Sequence, residues 1–194
     1  MKQMWLRFKI ARTNLYYNIN FTEYDTEIDQ FQIKIFANIF NLNSSFWASY
    51  ANGDNISYLS DYISTLYDRS YKEYVTGFSL KKSIKNLYFL DKIGINSVIK
   101  NRVYTQESTD DPLHVGREHF DYTTSVWVEK RTSKNINHQI KLKNRVRSVN
   151  SDFYVNYFGG NEQGEEVSVS NLKGFEKFEI IYKITFDTHL DFLY

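Results

Sequence analysis

The sequence predicts an all-β chain, an antiparallel up-and-down meander of about 9–10 strands curled into a β-barrel. Three observations predict it. Hydrophobicity alternates with a period of two along most of the 194 residues, and a period of 3.6 is almost absent. Tyr and Phe number 16 and 15, and both suit pleated, half-covered surfaces. A single proline, Pro112, leaves the long segments free to donate every ladder hydrogen bond.

The strands follow in order. Met4, Leu6, Phe8 and Ile10 share one face against Trp5, Arg7 and Lys9, and the phase of the pattern then changes. A tight connection at Arg12-Thr13 is expected there, followed by Leu15, Tyr17, Ile19 and Phe21 against Tyr16, Asn18 and Asn20. Phe31, Ile33, Ile35, Ala37 and Ile39 form the next face, and a turn over Asn41-Leu42-Asn43-Ser44 leads to a strand around 46–51. Residues 56–67 fit a short amphipathic helix as well as a strand and are assigned to a loop. A strand over 72–81 passes through 82–86 into a run that places Leu87, Phe89, Ile93, Ile95, Ile99 and Val103 on one side. Lys92, Asn96, Lys100 and Arg102 lie on the other. Tyr122, Thr124, Val126 and Val128 oppose Asp121, Thr123, Ser125, Trp127 and Glu129, and the hairpin turn 131–135 follows. Ile136, His138, Ile140, Leu142 and Val146 then oppose Lys141, Lys143, Arg145 and Arg147. The last segment is the most regular, with Phe178, Ile180, Tyr182, Ile184, Phe186, Leu190, Phe192 and Tyr194 on one face. Glu179, Lys183, Asp187, His189 and Asp191 lie on the other.

Composition narrows the function. With 24 Lys and Arg against 23 Asp and Glu, no overall field draws the chain to nucleic acid. The absence of cysteine removes disulfides, thiolate chemistry and cysteine-held zinc. His114, His119, His138 and His189 show no metal-ligand spacing, and His114 and His119 read as residues of one polar loop. No cofactor is expected, and no nucleophile is set in a catalytic motif. Met1 to Arg12 has neither an apolar run nor a small-residue cleavage site, so it is not a signal peptide. The chain reads as one domain over 1–194.

Connections alternate between short ones, near 11–13, 41–44, 82–86 and 131–135, and long polar ones, near 23–29, 52–71, 105–119 and 149–175. Short turns at one end and long loops at the other are the layout of transmembrane barrels. On that layout, and on the terminal alternation Leu190, Phe192, Tyr194, the chain resembles Gram-negative outer-membrane β-barrel proteins, whose last strand commonly ends on an aromatic. The resemblance implies location in the outer membrane and contact with membrane lipid. It also implies a role as a channel for a small solute, or as an anchor in the export or surface assembly of a polymer. A count near nine, where such barrels use an even number, points to a strand hidden in 56–67 or 153–158, or to N-terminal strands outside the chain.

Period two does not say which face is wet. Strand length sufficient for an apolar band, aromatics near strand ends, and an opposite face mixing amides, hydroxyls and both charges favour lipid on the apolar side. The lumen-lining candidates are then Lys100, Arg102, Asp121, Glu129, Lys141, Lys143, Arg145, Arg147, Glu179 and Asp187. The basic strip 141–147 is expected to pair with Asp121 and Glu129 on one neighbour and with Glu179, Asp187 and Asp191 on the other. A soluble ligand-binding barrel, or a shell-like structural domain, is the alternative, with the apolar face turned inward.

Overall fold

In a computed structural model of the chain, residues 3–16, 25–39, 42–56, 68–84, 89–107, 109–111, 113–157 and 164–186 are described. Seven long strands follow one another: β1 (Gln3–Leu15), β2 (Thr26–Ile39), β3 (Leu42–Asn55), β4 (Tyr71–Ser83), β5 (Lys92–Tyr104), β6 (Glu118–Arg131) and β7 (Ile136–Asn150). A small hairpin, β8 (Tyr154–Tyr157) and β9 (Glu165–Ser168), and one helical turn, α1 (Val169–Lys173), precede the last long strand, β10 (Phe175–Phe186).

The long strands form one 8-stranded sheet in the order β1-β2-β3-β4-β5-β6-β7-β10, each antiparallel to the next. The all-β meander is thus as expected. The strand at 153–158 exists, but as β8 it pairs with β9 in a sheet of its own. The sheet is not closed: β1 and β10 each have a ladder partner on one side only. It curls nonetheless, since Leu15 of β1 and Arg147 of β7 line one common cavity.

Three boundaries differ from the sequence reading, each for a physical reason. No turn occurs at Arg12-Thr13. β1 runs on to Leu15, and the Arg12 guanidinium forms a bidentate pair with Asp29 of β2 at 2.7 Å for both contacts. The change of phase marks where the strand leaves the apolar band: Arg12 replaces a hydrophobe on one face, and Leu15 joins the cavity on the other. The chain reverses between residues 16 and 25 instead. β5 starts at Lys92 and not at Leu87. Phe89 lies in the connection, which Ile84 N–H closes by donating to Asp91 O at 2.8 Å. The turn after β2 precedes Leu42, which already pairs with Ile39. With these changes long connections (16–25, 56–70, 105–117, 151–174) and short ones (40–41, 84–91, 132–135) still alternate. Residues 57–67, Leu87 and the terminal segment carrying Asp187, His189, Leu190, Asp191, Phe192 and Tyr194 lie outside the described residues.

Every long pair keeps a constant register, with no bulge from Gln3↔Asn38 through Phe186↔Ile136. A side-chain alternation that never slips sorts the whole sheet into two faces. On the convex face the apolar series of all eight strands run together. Ile140 and Leu142 are 49% and 45% exposed, and Ile184 and Phe186 are 42% and 65% exposed. Buried apolar residues, among those described, are only Ala51, Val115, Val149 and Val169. The sheet therefore has no apolar core of its own.

On the concave face three glycines each sit directly opposite an aromatic: Gly53 and Tyr71, Gly77 and Trp47, Gly94 and Trp127. The rings lie over the glycines so closely that a Cβ at Gly94 would fall 2.3 Å from the Trp127 ring, and one at Gly77 would fall 2.4 Å from Trp47. Ring-on-backbone packing covers the ladder with apolar surface inside an otherwise polar concavity. Trp5 stacks on Phe36 at 3.6 Å in the same way at the β1 edge. All three tryptophans are thus concave and used for packing. Gly94→Ala is expected to lower stability by about 1–3 kcal/mol, as overpacking does, read from the denaturant midpoint. A Gly94→Ala chain as stable as the parent would show that Trp127 is not held there.

Candidate functional site

The concave face is formed by odd positions of β1, β3, β4, β6, β7 and β10 and by even positions of β2 and β5, as the registers require. Its acids within the strands are Glu73, Asp121, Glu129 and Glu179. Its bases are far more numerous. β1, β2 and β4 supply Arg7, Lys9, Lys34 and Lys81; β5 supplies Lys92, Lys100 and Arg102. β6 and β7 add Arg131, Lys141, Lys143, Arg145 and Arg147, and β10 adds Lys177 and Lys183. A chain with a net charge of +1 therefore presents a strongly basic inner wall. Much of the balancing acid lies at strand ends and in loops, as with Glu27, Asp29, Asp54 and Asp68.

Four of the wall's strands are joined by one chain of ion pairs. Arg102 Nε donates to Glu73 at 2.8 Å, and Lys100 stands 3.6 Å from Glu73 and 3.4 Å from Asp121. Asp121 in turn takes a bidentate pair from Arg147 at 2.6 and 2.8 Å. Elsewhere Lys92 pairs with Glu129, and Glu179 takes Lys143 at 3.1 Å and Lys177 at 3.0 Å. The expected cross-strand pairing of the basic strip thus holds for Arg147 and Lys143. Glu129 pairs across to β5 instead, and Lys141 and Arg145 have no ion pair among the described residues. All the lumen-lining candidates except Asp187, which lies outside the described residues, fall on this concave face.

At the end carrying the long connections, the β5–β6 connection folds over the wall. Tyr104 N–H donates to Arg117 O at 3.0 Å and Thr105 N–H to Ser70 O at 2.9 Å, which ties both ends of the loop down. A turn built on Asp111 follows: its carbonyl accepts from His114 N–H (3.1 Å) and Val115 N–H (3.0 Å), and its carboxylate lies 2.6 Å from His114 Nδ1. Gly116, at φ +58°, makes the left-handed reversal that brings Arg117 back to the strand. Gln106, Asp111, His114, Val115 and Arg117 are all buried, although the segment reads as polar loop.

Beneath this loop lies a cavity of about 620 Å³. Arg69, Arg102, Arg117, Arg147 and Lys173 of α1 line it, with His114, His119, Tyr71 and Tyr104 between them. Leu15, Thr26, Ile28 and Leu113 complete the lining; among the described residues no carboxylate lines it, and that of Asp111 stands behind His114. The Arg117 guanidinium lies 4.3 Å from the Tyr104 ring and that of Arg102 3.9 Å from the Tyr71 ring, so aromatic faces hold the cations in place. Among the described residues no cluster of His, Asp and Glu could hold a metal ion.

Comparison with protein-family models, with curated proteins and with solved structures returns no match for this chain.

Sequence reasoning placed Arg102 and Arg147 on the inner wall but missed the cavity. Arg69, Arg117 and Lys173 stand in connections or in α1, where no periodicity marks a direction. His119, assigned to a loop with His114, is in fact the second residue of β6 and turns inward. The available signal was that Tyr71, Arg102, Tyr104, His119 and Arg147 share one face at one end of four successive strands. His138 is on the convex face as expected, with Nδ1 2.6 Å from the Tyr182 hydroxyl.

Burial lowers the His114 pKa from its ordinary value, against the opposing pull of Asp111; Arg117 and Arg69 push it further down. A base whose folded value is lowered binds protons better when undocked. Loop docking is therefore complete above about pH 6.5 and weakens as pH falls through that value toward the folded one. In a proton-NMR titration His114 should turn over below about 6.5, and lower still in Asp111→Asn. A midpoint above the ordinary value would contradict the docked, buried loop.

Proposed function

We propose that this chain forms the wall of an outer-membrane β-barrel, its convex face against lipid and its concave face along an aqueous space, where it serves as a channel or as the membrane anchor of an export or surface-assembly protein. One observation carries the reading: a continuous apolar band on the outside of eight strands, with almost no apolar core within. In water a chain of this length would bury its hydrophobes against one another. Here the charges of the convex face are confined to strand ends, as in Arg12, Glu27, Asp29, Lys82 and Lys130. The band between them matches a lipid-facing belt of about 25 Å, which strands of 12–15 residues can cross when tilted.

The two edges fit the same reading. In hydrocarbon each unpaired backbone group costs several kcal/mol, so β1 and β10 must be paired in the working form. With an even number of strands, β1 and β10 run antiparallel to each other and suit a ladder between them or with strands of another chain. Apolar residues filling the interior, as a soluble ligand-binding barrel requires, are the reverse of the side-chain directions on this sheet.

The purified chain should partition into the detergent phase and migrate differently on gels before and after heating. Leu142→Arg, at mid-strand on the convex face, should cost about 2–4 kcal/mol in a lipid host; the inward Gln139→Arg should cost about 1 kcal/mol or less. A chain that stays monodisperse in detergent-free buffer with its strand content intact would sink the membrane reading and favour a soluble structural module.

A further inference from the structure

The cavity under the β5–β6 loop has the composition of an anion site, and its cations are incompletely neutralised from within the chain. Glu73 and Asp121 balance Arg102 and Arg147, respectively. Arg117 and His119 are 4% and 5% exposed, and both Arg117 Nε and His119 Nε2 lack a hydrogen-bond partner. A buried donor left without an acceptor is costly, and Arg117 Nε, which can only donate, marks a place at this cavity where an acceptor is missing. Lys173 adds a further cation that has no ion pair among the described residues.

Size and shape narrow the ligand class. About 620 Å³ far exceeds what a halide ion needs and lies in the range of small-molecule sites. The cations are spread over β5, β7, α1 and the loop, so they can grip oxyanions at more than one point. Arginine forks suit carboxylate and phosphate, and Tyr71 and Tyr104, each already under a guanidinium, hold Arg102 and Arg117 in position at the cavity wall. The surplus of bases along the concave wall raises the local concentration of any anion approaching this mouth.

We propose that this loop-end cavity binds a small organic or condensed anion carrying at least two phosphate or carboxylate groups. Arg117, whose Nε has no hydrogen-bond partner, and the Lys173 ammonium, with no ion pair among the described residues, are its main contacts, and Arg102, Arg147 and His119 surround the ligand. The site rests on the concave geometry and not on the membrane reading, so either can fail alone.

The test uses the full chain, in detergent micelles or in plain buffer according to where it is monodisperse. Pyrophosphate and citrate are titrated calorimetrically at low salt, with spermidine as the cationic control. At least one of the two anions should bind, and the arm that binds more tightly identifies phosphate or carboxylate as the preferred group. Arg117→Gln should weaken that binding tenfold or more and Lys173→Gln at least threefold. Lys134→Gln, in the turn at the opposite end of the sheet, should leave it unchanged. Lys173 is only half-buried, so its variant carries the test if Arg117→Gln fails to fold. Absence of binding by both anions, equal binding of spermidine, or affinities indifferent to both cavity substitutions would each overturn the site.

Discussion

A pleated strand sends successive side chains to opposite faces, and a ladder without bulges carries that sorting intact across every neighbour. The rest of this structure depends on that constraint. From Gln3↔Asn38 to Phe186↔Ile136 the register never slips, so the hydrophobes of eight strands have no choice but to share one face. The opposite face receives the lysines and arginines together. One slipped residue anywhere would put a charged series among the convex hydrophobes for the remaining strands. The free energy that holds the sheet is thus tied to what covers its convex side, because the buried apolar set inside is so small.

The concave wall meets the opposite difficulty, since many like charges crowd it. Two devices make it tolerable. The ion-pair chain from Arg102 through Glu73, Lys100 and Asp121 to Arg147 spends two acids on three bases across four strands. Such part-buried pairs contribute modestly to stability, yet fix the directions of the long side chains. The glycine-aromatic contacts at Gly53, Gly77 and Gly94 supply dispersion and cover backbone where a second layer of charge would only repel. At the loop end Arg69, Arg117 and Lys173 join the paired Arg102 and Arg147 around one site. There the β5–β6 segment, pinned at Tyr104 and Thr105, turns the mouth of a groove into a bounded cavity.

Much of this was legible in residue order. Most strands, the meander, the sharing of one face by the apolar series and of the other by Lys100, Arg102, Asp121, Lys143 and Arg147 all follow from alternation alone. The basic excess of the wall was also countable from parity, but a chain-wide balance of charges hides it. The misjudged elements have a common cause. At Arg12-Thr13 and at Leu87 to Phe89 the alternation changes phase or fades, and a strand passing out of the apolar band looks the same as a strand that ends. The loop-end cluster was not legible because Arg69, Arg117 and Lys173 come from separate connections that only the curl of the sheet brings together.

By itself the sequence determined the secondary structure, the neighbour relations and the membership of each face, since these depend on local period and on short connections. Tertiary structure alone decided which face is convex, that β1 and β10 stay apart, and that a loop folds over a cavity lined by five cations. Those outcomes depend on the curvature of the assembled sheet. Curvature is a property of many strands twisting together, and no single stretch of the chain encodes it.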